Sequence, residues 1–425
     1  MKRLIGILLA ACLFFAGCGA EAPEAPGSEG ITESQTERET ETAAETASAA
    51  AGEETAASSE EPGTVTEPET SPERETDTVP ESVTVPETVT REEPGTSAAP
   101  KTTLAPLPEY NRAGKRLIDN RDPEDPRPSW NYEFNPHVIS ELDVRAYGES
   151  IRADFFAFCD AVLAGEDSFP CSSEDNAWNI TVLQGRLLPF SIFVTVLADE
   201  MTDGRCPLSY QLPKEEFLQT ARGFQADQAD MIAEADLREG DSELERAAKL
   251  YTMLSLRTRY DYSAMEDDRF DLSAYRTLMS GYGICQEIAP AYAYLLLQVG
   301  VEANTCGALA KDVSFAHEWT LVRIGGEYYH ADVTYQLDTP YSLRYFLQTD
   351  GQRDGDNMDV STFNIGDSNV LWHKDVPVTD ETYVPLQAAN WYRIDHETGR
   401  FWYYTGGGVE ERDGFAPEEL TDFLF

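Results

Sequence analysis

The sequence predicts an α+β fold, and three observations predict it. Helical apolar spacing recurs between residues 147 and 257. A strongly apolar helical pattern then begins directly behind Gly283-Ile284-Cys285. Two alternating runs follow, separated by Gly325-Gly326, a two-glycine signal for a tight antiparallel hairpin.

Taken in order, Tyr147 to Leu163 places Ile151, Phe155, Phe158 and Val162 on one helical face, and Gly165 follows as a stop. Ile180 to Leu197 is apolar but interrupted by Gly185 and Pro189, which leaves strand and buried helix both open. Pro213-Lys-Glu-Glu opens a helical pattern through Ala235. A second runs from Ser242 to Arg257, with Leu244, Ala247, Ala248, Tyr251 and Leu254 on one face. Behind Cys285, the residues Ile288, Tyr292, Leu295, Leu296 and Val299 keep helical spacing, and Gly300 closes the pattern. Strand-like runs follow at 301–309, 317–324 and 327–334, with shorter ones within 341–365 and 383–425. Residues 391–404 read as an aromatic hairpin that closes the fold, with glycan binding by stacking as the alternative.

Ahead of all this lies a different kind of sequence. The chain has 425 residues and a formal net charge of −45. Between Gly19 and Ala105 there are 21 acidic residues against four basic ones, in a setting of Thr, Ser, Ala and Pro. Such a stretch cannot bury enough apolar surface to offset its chain entropy, so residues 18–110 are expected to be a disordered tether. Lys2 and Arg3 precede an apolar run of about 13 residues, too short for the roughly 20 that span a bilayer, which reads as a secretory signal over 1–17. Phe15-Ala16-Gly17-Cys18 resembles the lipobox of bacterial lipoproteins. That resemblance implies cleavage before Cys18, lipid on its thiol, and an extracytoplasmic chain anchored to a bacterial cell membrane. A tether of this length reaches roughly 50 Å from its anchor. The folded part is expected to comprise a mostly helical portion at 130–242, a core at 243–350 and a β-rich extension at 351–425. The acidic balance argues against nucleic acid as a partner.

The hairpin yields a chemical constellation. With Gly325-Gly326 as the turn, paired positions sum to 651, so Trp319 faces Asp332 and His317 faces Thr334. His317 and Asp332 become diagonal neighbours on one sheet face, within reach of each other. Cys285, at a helix start, would feel the positive end of the helix and its unpaired N–H groups, which favour the thiolate. His317 could take the thiol proton, Asp332 could orient the imidazole, and the Cys285 N–H could stabilise an oxyanion. His330 lies on the same face and is a rival base. Trp319, Gln286 and Tyr282 are candidate cleft residues. Cys159, Cys171, Cys206 and Cys306 are the other cysteines of the folded part, with Cys171–Cys206 the favoured pairing if any forms. No Cys/His cluster has metal-site spacing, and no cofactor is expected.

These residues resemble the transglutaminase-like superfamily. The resemblance is carried by Gly283-Ile-Cys285 and its helix, by Val299-Gly300-Val301, by His317-Glu-Trp319 and by Ile324-Gly-Gly-Glu-Tyr-Tyr-His-Ala-Asp332-Val-Thr334. Arg259-Tyr-Asp-Tyr262 before the Cys and Tyr345-Phe-Leu-Gln-Thr-Asp350 after the Asp extend it. It implies a papain-like core in which a helix carrying the Cys packs on an antiparallel sheet carrying His and Asp. It also implies acyl transfer through a thioester on Cys285, with His317 as base, Asp332 as orienter, and water or an amine as acceptor. Two positions depart from the family pattern. Thr320 stands where Asn often follows the His-x-Trp, and Glu287-Ile288-Ala289-Pro290 replaces a Gly-aromatic-Ala run. The expectation is a monomeric cell-surface lipoprotein hydrolysing peptide or isopeptide bonds near the cell wall. The alternatives are an inactive adaptor of the same fold and a protein cross-linking enzyme.

Overall fold

The computed structural model describes residue 107 and residues 117–265, 273–366, 368–409 and 412–424. The signal sequence, Cys18 and almost all of the acidic segment lie outside the described residues.

The amino-terminal portion is helical with a small sheet. Helix α1 (Glu141–Tyr147) ends at Gly148, whose φ of 91° breaks it from α2 (Ser150–Ala164). The spacing over 147–163 located α2 but gave no sign of α1. The four apolar residues that defined the pattern are all fully buried on α2, and Gly165 caps it in the left-handed conformation. Strand β1 (Ser168–Pro170) leads to α3 (Glu174–Leu187), which resolves the ambiguous apolar segment. Its first part is helix, Gly185 sits inside that helix, and Pro189 opens a 3₁₀ turn leading to strand β2 (Val194–Val196). Strand β3 (Arg205–Tyr210) pairs with both β1 and β2. The register sets Phe169 opposite Cys206, so Cys171 falls beside Gly204. The Cys171–Cys206 pairing is not formed. None of the five described cysteines is in a disulfide, and the Cys171 thiol turns to the Ser173 carbonyl at 3.3 Å.

Helix α4 (Lys214–Glu234) and helix α5 (Glu243–Arg257) follow with the expected extents. Ser242 and Glu245 exchange side-chain and backbone bonds at the start of α5, a capping box that fixes where it begins. The short strand β4 (Arg259–Tyr260), helix α6 (Ala274–Ser280) and strand β5 (Tyr282–Gly283) lead into α7 (Cys285–Gln298). Helix α7 is apolar nearly all round because it is buried nearly all round. It packs on the main sheet on one side and on α3, α5 and α6 on the others.

The main sheet is built from β6 (Ala303–Leu309), β7 (Ala316–Ile324) and β8 (Glu327–Ala331), all antiparallel. Helices α8 (Val333–Gln336) and α9 (Asp350–Gly355) follow, then strands β9 (Asn364–Ile365) and β10 (Leu371–Trp372), which give the sheet order β10-β9-β6-β7-β8. The β7–β8 register runs from Thr320↔Ala331 to Ile324↔Glu327, and both turn glycines have positive φ (61° and 98°), as the hairpin requires. Two expectations fail here. The strand stops at Ala331, so Thr334 is helical and does not face His317. Residues 341–365 hold helix α9, a 3₁₀ turn and loops, with strand only at β9 (Asn364–Ile365) rather than a series of strands.

The chain ends in β11 (Trp391–Asp395), β12 (Arg400–Tyr404) and β13 (Thr421–Leu424), one antiparallel sheet. Trp391, Tyr392, Phe401 and Tyr403 are buried, and the Tyr392 hydroxyl meets Thr252 and the Ala248 carbonyl of α5. The aromatic hairpin therefore closes the fold. One apolar core extends from Ile139 to Tyr403 and includes α7, while a second, smaller core around Trp319, Leu321 and Phe363 covers part of the main sheet.

Candidate active site

Cys285 is the first residue of α7 and is fully buried. The turn before it admits little variation. A Cβ at Gly283 would collide with the Thr277 hydroxyl, so only glycine fits beside α6. Glu287, two residues after the cysteine, accepts the Ile284 N–H at 3.0 Å and the Arg276 Nε at 2.6 Å. Arg276 also holds Asp261 at 2.6 Å, just after β4. The departure at Glu287 is thus a brace that pins the cysteine turn to α6 and to the chain after β4. The departure at Thr320 is a second brace: its hydroxyl donates to the Ala289 carbonyl at 2.9 Å, tying β7 to the first turns of α7.

His317 and Asp332 meet as the spacing predicted, though by a different route. Asp332 has left the strand and caps α8, with its Oδ1 accepting the Tyr335 N–H at 3.1 Å. Its own N–H donates to the Tyr345 carbonyl, and its Oδ2 lies 2.7 Å from His317 Nε2. Both side chains are buried. Burial pushes the Asp332 carboxyl up, but His317 and Arg353 outweigh it and hold the group below its usual range. Nε2 is the ring nitrogen committed to the carboxylate. The Tyr335 ring stacks on His317 at 4.5 Å and 10°. The same tyrosine has its phenol pushed up, by burial first and then by Asp332, with the Cys285 charge contributing. Tyr335 therefore covers one face of the His317 ring.

The rival histidine is committed elsewhere. His330 Nδ1 accepts the Trp319 indole N–H at 2.8 Å, and its Nε2 lies 2.9 Å from Asp350 Oδ1. Burial holds the imidazole below its usual range, against the pull of Asp350. With the indole fixing its tautomer, His330 is a neutral structural group. Trp319 is buried beside His317, with ring centroids 5.8 Å apart, so it forms a wall behind the imidazole. Of the other candidate cleft residues, Gln286, next to Cys285 in the chain, is partly buried, and Tyr282 is 45% exposed.

One residue at this site carries no sequence signal. Arg353, on α9, is fully buried, and its Nη2 donates to Asp332 Oδ2 at 3.0 Å. Its guanidinium lies 4.1 Å from the Trp319 ring centroid. In sequence it stands in the polar run Asp350-Gly-Gln-Arg-Asp-Gly355, which reads as a surface loop. Among the described residues no cluster of His, Cys, Asp and Glu suits a metal ion.

Residues 230–333 match the transglutaminase-like superfamily, a span that includes Cys285, His317 and Asp332 and ends before Arg353. Three chains among the solved structures show similarity. One is a proposed cysteine protease from Cytophaga hutchinsonii, at 13% identity over 46% of this chain and 50% of that one, with a TM-score of 0.25. Another is a TGase, at 12% identity over 35% of this chain and 47% of that one, with a TM-score of 0.24. The chain spans about half the length of each of these two. No curated protein matches the sequence.

Proposed function

We propose that this transglutaminase-like chain is a cysteine-dependent acyl-transfer enzyme that hydrolyses peptide or isopeptide bonds through a thioester on Cys285. The observation that carries the reading is the buried His317–Asp332 pair at 2.7 Å, with His317 on the strand against which α7, beginning at Cys285, is packed. In the first half-reaction the Cys285 thiol gives its proton to His317 Nδ1, and the thiolate attacks the substrate carbonyl. The Cys285 N–H, at an open helix start, donates to the resulting oxyanion. Collapse of that intermediate expels the amine, which takes the proton from the imidazolium. In the second half-reaction His317 deprotonates a water, which cleaves the thioester and restores the thiol. Asp332 holds the imidazole throughout.

Lipid on Cys18 would place this chemistry at the outer face of a cell membrane, near the cell wall. Loss of lipid labelling in Cys18→Ala would support that placement, and unchanged labelling would rule it out. The enzyme reading is tested by timing iodoacetamide alkylation of the purified chain, resolved by site with mass spectrometry. Cys285 should react well ahead of Cys159, Cys171, Cys206 and Cys306, and an acyl adduct on it should accumulate with some member of an amide and ester library. Equal reactivity and no adduct would end the reading. Incorporation of a labelled amine into a Gln-bearing protein, blocked by His317→Ala, would identify cross-linking as the outcome instead of hydrolysis.

One observation favours a second reading, a binding protein that keeps the fold without turnover. Cys285 is 0% exposed, and a substrate carbonyl must reach its sulfur. That reading expects Cys285→Ala to retain the cellular phenotype. Loss of phenotype in a folded variant would exclude it.

A further inference from the structure

We infer that Arg353 is a positioning residue of this site: its buried guanidinium fixes the carboxylate that holds His317 and keeps that carboxylate charged through the reaction cycle. The inference rests on the triad reading of Cys285, His317 and Asp332, and concerns a residue outside the span that matches the superfamily.

The geometry leaves the carboxylate no freedom. Asp332 Oδ2 receives His317 Nε2 at 2.7 Å and Arg353 Nη2 at 3.0 Å, while Oδ1 receives the Tyr335 N–H at 3.1 Å. Rotation about the Cβ–Cγ bond would break all three contacts. The guanidinium also lies 4.1 Å from the Trp319 ring centroid, and Trp319 stands behind the His317 ring and is itself fixed through its indole by His330. Arg353 thus braces both the partner of the imidazole and the wall behind it. Its own placement is set by α9, which Thr349 caps by accepting the Gln352 N–H.

The need for a cation follows from the cycle. Asp332 is fully buried. While His317 is an imidazolium, the carboxylate has a charged partner. Whenever His317 is neutral, that partner is gone, and a lone buried carboxylate would take up a proton and cease to orient the ring. Arg353 remains charged in both halves. Its second effect has the opposite sign. By answering part of the Asp332 charge, it weakens the pull of the carboxylate on the imidazolium, and so limits how tightly the site holds protons. Other groups face the pair. Tyr251 of α5 donates to the Asp332 carbonyl. Asp356 lies 3.5 Å from Arg353 Nη1. Tyr335, Tyr345 and Cys285 complete the surroundings, with His330 and Asp350 beyond Trp319. Asp356 could offset part of the Arg353 charge, and its longer contact leaves Asp332 the nearer anion.

The test is the pH profile of Cys285 alkylation by iodoacetamide in the purified full chain, which requires no knowledge of the substrate. Arg353→Met removes a positive charge beside the site, so both proton-binding limbs should move to higher pH, by about one pH unit. Arg353→Lys keeps the charge but loses the planar fork. It should keep the wild-type profile while reacting about tenfold more slowly. A folded Arg353→Met with the wild-type profile overturns the inference and leaves the triad reading intact. A wild-type chain whose Cys285 shows no profile distinct from that of an ordinary thiol overturns both. Should Arg353→Met not fold, Arg353→Lys alone decides: wild-type rates at every pH overturn the positioning role, and a slowed rate at an unchanged profile sustains it.

Discussion

Two histidine–carboxylate pairs lie on one hairpin of this protein, and they do different things. His317 on β7 holds Asp332 at 2.7 Å; His330 on β8 holds Asp350 at 2.9 Å. Both histidines are buried, and both project on the Trp319 side of the sheet. What separates them is the rest of each ring. The second nitrogen of His330 is capped by the Trp319 indole, and Asp350 is further engaged by the Val378 N–H at 2.8 Å and by His373 at 3.1 Å. His317 instead lies against Tyr335, which also senses Cys285, and its carboxylate is shared with a buried arginine. A His–Asp pair by itself is therefore an ambiguous signature. The second ring nitrogen and the second carboxylate partner decide whether the pair can move a proton or only pack.

The sharpest way to break this contrast is to remove each histidine in turn. His317→Gln should slow Cys285 alkylation at neutral pH, and any acyl transfer, by about three orders of magnitude or more. His330→Gln should leave the alkylation rate within about tenfold, because no proton passes through it. Equal losses in the two variants would erase the distinction.

Stability should show the reverse order. His330→Gln breaks a buried network and should lower unfolding free energy by about 1–3 kcal/mol in chemical denaturation. The pH sign follows from the direction of its shift. A histidine held below its usual range in the fold protonates more readily in the unfolded chain, so its contribution is present above about pH 6.5 and is lost as pH falls below that. The wild-type denaturation midpoint should thus fall more between pH 7 and pH 5 than that of His330→Gln. A parallel fall in both would refute the assignment of a neutral, buried His330.

A third effect lies away from both pairs and runs the other way. Glu302 accepts the Ser140 hydroxyl at 2.5 Å and the Glu141 N–H at 3.0 Å. Burial pushes its carboxyl up to about 7, against those bonds. The folded chain then binds this proton more tightly than the unfolded one, so its contribution is complete below about pH 4.3 and is lost as pH rises towards 7. Glu302→Gln should flatten that part of the stability profile, measured by thermal unfolding at pH 5 and 8. An unchanged slope would remove Glu302 as its source.

The sequence determined the parts that obey short-range rules. Helical spacing located α2, α4, α5 and α7, because each buries one continuous apolar face or, for α7, nearly every face. The two glycines fixed the β7–β8 register, because a two-residue turn leaves the pairing no freedom. That register was enough to bring His317 and Asp332 together. Tertiary structure decided the rest. Asp332 leaves the strand to cap α8, since its N–H is taken by Tyr345 and its carboxylate by Tyr335, residues the pairing rule cannot see. Glu287 and Thr320, which read as departures from a family pattern, become braces only when Arg276 and Ala289 are placed beside them. Arg353 stands 21 residues beyond Asp332 in a polar run, and it is buried because the fold supplies both a carboxylate and an indole face to receive a guanidinium. Charge pairing across such distances leaves no period in a sequence. It appears only once packing has excluded water and made each buried charge seek a partner.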